Sequence, residues 1–182
     1  MFEKNDPNIL RVALMYLMTW DGIPCVYYGT EQGFAGGVDP KNREDMFRGN
    51  EALGYAPFST DNPTFDLVRD LIQMRKDHVA LRRGTTSPVW STTVAGPARD
   101  AGIFAFERVA PGDETVLVVL NASTQDSETC AASGGCLKTT LPAGSTLKDV
   151  MPGTDGQTFT VKADGTVDIT VPGRTGRVLV KM

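Results

Sequence analysis

Residues Gly22–Phe47 contain the feature that most constrains the fold, a short apolar run that leads directly into a long, glycine-rich, charged loop. The apolar run is Cys25–Tyr28, bounded by Pro24 and Gly29. Such a run predicts a strand that is covered on both faces, as helices cover parallel strands in α/β proteins. Because α/β enzymes place their sites in loops at the carboxyl ends of such strands, we expect this loop to be functional.

Two predicted helices flank this strand and loop. Asp6-Pro7 is a helix start, and Asn8–Thr19 is apolar on almost every side, which is typical of a buried helix. Asn62-Pro63 starts a second, amphipathic helix that stops by Gly84. A helix, a turn and a buried strand together predict one αβ unit of a larger α/β assembly.

After Gly84 the pattern changes to short alternating segments separated by glycine, proline, aspartate and serine. Regular short strands of this kind predict an antiparallel β-sandwich. We therefore expect two domains, residues 1–84 and residues 85–182. The predicted strands are Ser87–Ser91, Gly102–Arg108, Thr115–Asn121, Leu137–Leu141, Leu147–Val150, Thr158–Val161, Thr166–Val171 and Arg177–Lys181.

Residues 22–43 also resemble a known family, the α-amylase family of glycoside hydrolases, whose last barrel strand carries a GxPxxYYGxE pattern followed by a GGxDPxNRxxM/W loop. The resemblance implies a partial (β/α)8, or TIM-barrel, segment at residues 1–84 and an all-β antiparallel sandwich, called domain C, at residues 85–182. The matching residues are Gly22, Pro24, Tyr28, Gly29, Glu31, Gly36, Gly37, Asp39, Pro40, Asn42 and Arg43.

Asp39 and Arg43 are the predicted substrate-binding residues. Carboxylate and guanidinium groups suit sugar hydroxyls because each offers several acceptors or donors in fixed geometry. The resemblance implies that both bind an α-glucan chain, such as starch, glycogen or a maltooligosaccharide. An alternative is that they pair with each other and stiffen the loop. The resemblance assigns Glu31 a structural, hydrogen-bonded place beneath the site, and Tyr28 a place near it.

No catalytic residue is predicted. The family cleaves α-1,4-glucosidic bonds by a retaining mechanism, which requires a nucleophilic carboxylate about 5 Å from an acid/base carboxylate. The motifs that carry those acids have no match here, so we expect this polypeptide alone to be inactive and to need the missing amino-terminal barrel portion as its partner. We predict no cofactor and no metal in this chain, since the calcium ligands that the family often uses also have no match.

The three cysteines divide into a pair and a single residue. Cys130 and Cys136 flank a flexible Ala-Ala-Ser-Gly-Gly loop, which predicts a disulfide and hence an oxidising compartment, with a zinc pair as the rival. Cys25 is predicted to be a buried, inert residue within the strand. His78 is predicted to lie by a surface helix end, and both tryptophans to serve in packing.

Composition excludes several classes of partner. The net charge is −4 and no basic run occurs, so we expect no nucleic acid. No apolar run approaches the ~20 residues that span a bilayer, and the first residues do not resemble a signal peptide. The family and the cysteine pair nevertheless imply an extracellular protein. Two alternatives to a carboxyl-terminal amylase portion stay open: a non-catalytic glucan-binding or barrel-capping sandwich module, and an inert truncated gene product.

Overall fold

The computed structural model describes residues 7–182, and helices precede strands along this part of the chain. The helices are α1 (Pro7–Thr19), α2 (Pro63–Asp77) and α3 (Val79–Arg83), with a single 3-10 turn at Thr30–Gln32. Asn62 caps α2, since its side-chain oxygen accepts a hydrogen bond from the Phe65 amide at 2.8 Å. Both predicted helices are confirmed, although Asp6 of the first predicted cap lies outside the described residues.

Eight antiparallel strands follow the helices in the described part of the chain. Six form one sheet in the order β1-β2-β3-β8-β5-β6, and β4 and β7 form a second, two-stranded sheet. The all-β antiparallel domain predicted for this part of the chain is therefore confirmed. The strands are β1 (Thr85–Ser91), β2 (Ile103–Ala110), β3 (Glu114–Asn121), β4 (Ser127–Glu128), β5 (Thr146–Asp149), β6 (Thr158–Thr160), β7 (Thr170–Val171) and β8 (Thr175–Lys181).

The six-stranded sheet is buried on both faces. In β3, Val116, Val118 and Leu120 join a core with the helices, whereas Leu117 and Val119 join a second core with the small sheet and the loops around it. This division follows from the period of two along a strand, which sends successive side chains to opposite faces. The helices therefore form a layer on the sheet, and the two parts of the sequence share one continuous core.

Two predicted strands of the sandwich are wrong in extent. Residues 137–141 contain no strand, only the isolated bridge from Lys138 to Thr166, and the strand predicted at 166–171 is reduced to Thr170–Val171. Leu137 and Leu141 are nevertheless buried in the second core. Their apolar character correctly indicated that they are buried. It did not indicate a strand, because irregular backbone buries them here without strand pairing.

The predicted strand Cys25–Tyr28 is also wrong for the described chain. Residues 23–27 belong to no helix or strand, Cys25 is exposed, and Ile23 is 96% exposed. The physical reason is that a parallel strand needs neighbouring strands and covering helices, and residues 7–182 offer no strand that pairs with this segment. The prediction that Cys25 is buried fails for the same reason.

Two arginines join the carboxyl end of α1 to the rest of the fold. From α2, Arg75 donates hydrogen bonds to the carbonyls of Met18, Trp20 and Gly22 at 2.7, 3.2 and 2.7 Å. From β2, Arg108 donates to the carbonyls of Thr19 and Gly84 at 2.6 and 2.8 Å. Desolvation lowers the pKa of both guanidinium groups below the ordinary arginine value. Since the carboxyl end of a helix carries partial negative charge, these cations stabilise the carboxyl end of α1.

Glu107 points to the opposite face of β2 from its neighbour Arg108. Its buried carboxylate accepts hydrogen bonds from the hydroxyls of Thr139 and Thr140 at 2.5 and 2.6 Å and from the Thr140 amide at 2.8 Å. A buried charge is tolerated only where such bonds replace water. Glu107 therefore ties the irregular segment that contains Leu137 and Leu141 to the sheet.

Candidate functional site

The segment between α1 and α2, residues 20–62, is the candidate site, and it has little regular structure. Its first part is tied to its loop by Tyr28, whose hydroxyl donates to the Glu44 carbonyl at 3.2 Å. Desolvation and the adjacent Tyr27 raise the pKa of Tyr28 above its ordinary value. The Glu44 side chain accepts from the Gly36 amide at 2.6 Å, which closes the glycine-rich part of the loop.

Asp39 and Arg43, the predicted substrate-binding pair, lie on this loop and contact each other. Arg43 Nη2 is 3.1 Å from Asp39 Oδ1, and both side chains are 69% exposed. The alternative that the two residues pair is therefore correct for the described chain. Pairing does not remove them as ligands for a sugar, because one contact leaves most guanidinium N–H groups and a carboxylate oxygen directed to solvent. Their role in binding stays a prediction.

Two buried side-chain amides, those of Gln32 and Asn50, stabilise the segment through hydrogen bonds to backbone carbonyls, and they were not identified from the sequence. The Gln32 amide donates to the Ser59 carbonyl at 2.8 Å, and the Asn50 amide donates to the carbonyls of Gln32 and Gly33, both at 3.0 Å. Asn50 also accepts from the Leu53 amide at 3.2 Å. Polar residues within a loop give no periodic signal, so the sequence offered no means of separating these two from solvated ones.

Glu31 lies in the 3-10 turn and is half-buried. Within residues 7–182 its carboxylate has no hydrogen-bonding partner, so the structural role implied by the family stays a prediction. Tyr28 bonds to the Glu44 carbonyl, and its structural place near the site stays a prediction.

The cysteine pair is joined in a disulfide, as predicted. Cys130, Cys136 and Asp168 bring possible ligand atoms within 4.8 Å of one another, the one such group found among residues 7–182. The rival zinc site does not fit, because sulfurs bonded to each other supply no thiolate.

His78 lies at a helix end, as predicted, but it is more buried than a surface residue. It sits between α2 and α3, and its Nδ1 is 2.6 Å from Glu114 Oε1. Glu114 also accepts from the Ala80 amide at 3.2 Å, so this contact secures the start of α3. Within the described residues, Glu114 of β3 thus joins the sheet to His78 and to the start of α3.

Both tryptophans serve in packing, as predicted. Trp20 lies against the aromatic rings of Tyr16, Phe104 and Phe106, with centroids 5.1, 6.0 and 5.0 Å away. Trp90 packs against the second core. In the part of the chain that the structure describes, no helix has the length and apolar character needed to cross a bilayer.

Comparison with known proteins agrees with this architecture. The family model described as the alpha amylase C-terminal all-beta domain matches residues 95–181. The cyclomaltodextrin glucanotransferase of Geobacillus stearothermophilus is 31% identical over 169 residues, which cover 92% of this chain and 20% of that protein. The alpha-amylase of Niallia circulans is 31% identical over 160 residues, covering 87% of this chain and 26% of that protein.

A solved structure supports the same relationship. The crystal structure of an Anoxybacillus alpha-amylase superimposes with a TM-score of 0.73 and 26% identity, covering 97% of this chain and 33% of that one. The chain thus spans about a fifth of the length of the glucanotransferases and about a third of that amylase. Sequence and fold together show that the chain belongs to the alpha-amylase family and carries that family's C-terminal all-beta domain.

Proposed function

We propose that this chain is the carboxyl-terminal portion of an α-amylase-type glycosidase that hydrolyses α-1,4-glucosidic bonds in starch or glycogen. Residues 1–84 would complete a (β/α)8 barrel, and residues 85–182 are its domain C. The observation that carries the proposal is the exposed Asp39–Arg43 pair, 3.1 Å apart on a loop that follows the Cys25–Tyr28 segment. Relatives named cyclomaltodextrin glucanotransferase and alpha-amylase support an α-glucan as the ligand.

The pair suits a sugar because it presents charged donors and acceptors side by side. Arg43 and Asp39 are 3.1 Å apart and both are exposed, so a glucan hydroxyl can reach either group. Two neighbouring hydroxyls could accept from free guanidinium N–H groups while a third donates to the free carboxylate oxygen. The Gly36 amide donates to Glu44 Oε1 at 2.6 Å, which closes the loop that carries the pair.

The exposed segment before the loop supports a barrel as the partner. Ile23 is 96% exposed, and Cys25 and Tyr27 are exposed beside it, although all three have apolar bodies. An exposed apolar segment with no paired strand is what a barrel segment presents when its neighbouring strands lie outside the described chain. In this proposal the barrel portion outside residues 1–182 supplies the catalytic carboxylates and any calcium site, and the Cys130–Cys136 disulfide fits secretion.

The test is glucan binding by the purified chain, measured by calorimetry with maltoheptaose. We expect Arg43→Ala to weaken binding about tenfold, since one charge-assisted hydrogen bond contributes about 1.5 kcal/mol or more. The matched control is Arg69→Ala, which removes another exposed arginine from an ion pair, 2.6 Å from Asp66 on α2. Equal affinities for these two variants would refute the role of Arg43.

A second assay tests the assignment of the catalytic groups. The purified chain should release no reducing sugar from soluble starch, whereas its mixture with the barrel portion should do so. Turnover by the chain alone would contradict the proposal.

Barrel capping without glucan contact is the second candidate. It is favoured by the core that α1 and α2 share with the six-stranded sheet. A folded chain that binds no maltoheptaose but restores activity to the barrel portion would establish capping in place of glucan binding.

A further inference from the structure

Phe47 and Phe58 form an exposed aromatic pair that no contact described so far explains. Their ring centroids are 5.1 Å apart and their planes are 82° apart, an edge-to-face arrangement. Phe47 is 80% exposed and Phe58 is 52% exposed. Exposed aromatic rings that meet each other but not a core leave their outer faces free for a ligand.

The backbone at Phe58 is strained. Its φ is 54°, in the left-handed region that large side chains rarely adopt. Within residues 7–182 the other non-glycine residues with positive φ are Asp155 and Arg174, which are polar. A bulky residue persists in such a conformation only where the surrounding structure holds it there, and such positions concentrate at ligand-binding sites.

Short hydrogen-bonded turns fix both phenylalanines. The Phe47 amide donates to Asp45 Oδ1 at 2.9 Å. Between Phe47 and Phe58 in the sequence, Asn50 and Tyr55 exchange backbone hydrogen bonds of 3.0 and 2.9 Å, so the chain folds back on itself. Beyond Phe58, the Ser59 carbonyl accepts from the buried Gln32 amide at 2.8 Å. The rings are therefore presented by a braced loop.

We propose that Phe47 and Phe58 form a stacking platform for an α-glucan and extend the proposed Asp39–Arg43 site along the chain of the sugar. The inference rests on the proposed function, because it takes the same ligand. A glucose unit has an apolar C–H face and a rim of hydroxyls, so it suits a ring face flanked by polar groups. Phe47 has that setting, with Asp45 and Arg48 exposed on either side of it in the sequence.

The surroundings favour a sugar over a protein surface. The centre of a protein interface is depleted in charged residues. The apolar segment from Ile23 to Tyr27 meets that condition, since its residues are all uncharged. The aromatic pair does not, because charged residues flank Phe47. The segment from Ile23 to Tyr27 therefore suits a barrel neighbour, whereas the aromatic pair suits a glucan.

The test compares maltoheptaose affinities of single variants of the whole chain. We expect Phe47→Ala and Phe58→Gly each to raise the Kd by roughly five- to tenfold, as loss of an aromatic anchor does. Phe58→Gly also removes the strained conformation, so it should fold at least as well as the parent. Phe47→Trp should keep the affinity, and Val94→Ala, at an exposed apolar residue of the sandwich, should leave it unchanged.

The outcomes separate this inference from the proposed function. If Arg43→Ala weakens binding while Phe47→Ala and Phe58→Gly bind like the parent, the platform is refuted and the proposed function stands. If the folded parent chain binds no maltoheptaose, the platform and the glucan-binding role of the Asp39–Arg43 pair are both refuted, and the starch assay with the barrel portion decides whether the chain serves in capping. Loss of affinity in Phe47→Ala that Phe47→Trp restores would support stacking, since only the aromatic face is common to the parent and the tryptophan variant.

Discussion

Replacing Arg75 by alanine tests whether the end of α1 is held by a buried cation. Arg75 is 8% exposed, and its guanidinium donates to three backbone carbonyls, those of Met18, Trp20 and Gly22. The substitution leaves these three acceptors without their donor. It also removes the tie between α2 and the residue at which the candidate site begins.

The expected loss follows from those contacts. A hydrogen bond to a charged group contributes about 1.5–3 kcal/mol, so three would suggest roughly 4–9 kcal/mol. Burial of the guanidinium opposes this gain, as its lowered pKa indicates, and water that enters the space left by the side chain would satisfy part of the carbonyls. We therefore expect Arg75→Ala to lower the free energy of unfolding by about 3 kcal/mol.

Urea denaturation followed by circular dichroism measures this loss. With a slope of about 2 kcal/mol per molar urea, the midpoint should fall by about 1.5 M. Arg69→Ala on the same helix is the matched control, because its exposed ion pairs with Asp66 and Asp70 should contribute no more than about 1 kcal/mol in total. Both substitutions change helix propensity equally. If the urea midpoints of Arg75→Ala and Arg69→Ala differ by less than about 0.3 M, the stabilising role of Arg75 at the end of α1 is refuted.

Three further predictions concern other contacts of the fold. Reducing the Cys130–Cys136 disulfide should lower the free energy of unfolding by about 2 kcal/mol, because it closes a short loop with a sequence separation of 6; melting with and without a phosphine measures it, and an unchanged midpoint would contradict it. Glu107→Gln should lower the free energy of unfolding, measured in urea, by about 1–3 kcal/mol, because the new amide N–H groups would face the Thr139 and Thr140 hydroxyls and the Thr140 amide, which already donate. The control is Glu128→Gln, at a side chain that is 42% exposed. An equal loss in both variants would count against the buried network. Amide hydrogens of Cys25–Tyr28 should exchange within seconds in the monomer, because they donate no backbone hydrogen bond within the described residues; slow exchange by mass spectrometry would disprove the open edge.

The helices and the central strands could be predicted because their signals are local. Asn62 and Pro63 mark the start of α2 by chemistry that acts within one turn. The strand predicted at Thr115–Asn121 corresponds to β3 at Glu114–Asn121, because its continuous apolar run, Val116–Leu120, must be buried on both faces of the sheet. The disulfide followed from a loop of small residues between its cysteines.

Features that depend on distant neighbours could not be predicted. The run Cys25–Tyr28 has the composition of a buried strand, but composition does not supply the strands that would flank it. The burial of Glu107 and Arg108 in β2 was not predicted from the sequence. Their partners lie far away in the sequence, on the segment after Leu137 and at the end of α1. No local pattern could therefore identify these contacts.

The shared core of the helices and the sheet limits how this family can be recombined. A chimaera joined at Gly84 would take the sheet from one parent and its helical cover from another, so Phe106, Val118 and Leu120 would meet side chains selected against a different surface. Arg108 would meet a foreign α1 as well. A crossover placed before Pro7 transfers the sheet with its own cover, so the transferable cassette is larger than the all-β domain.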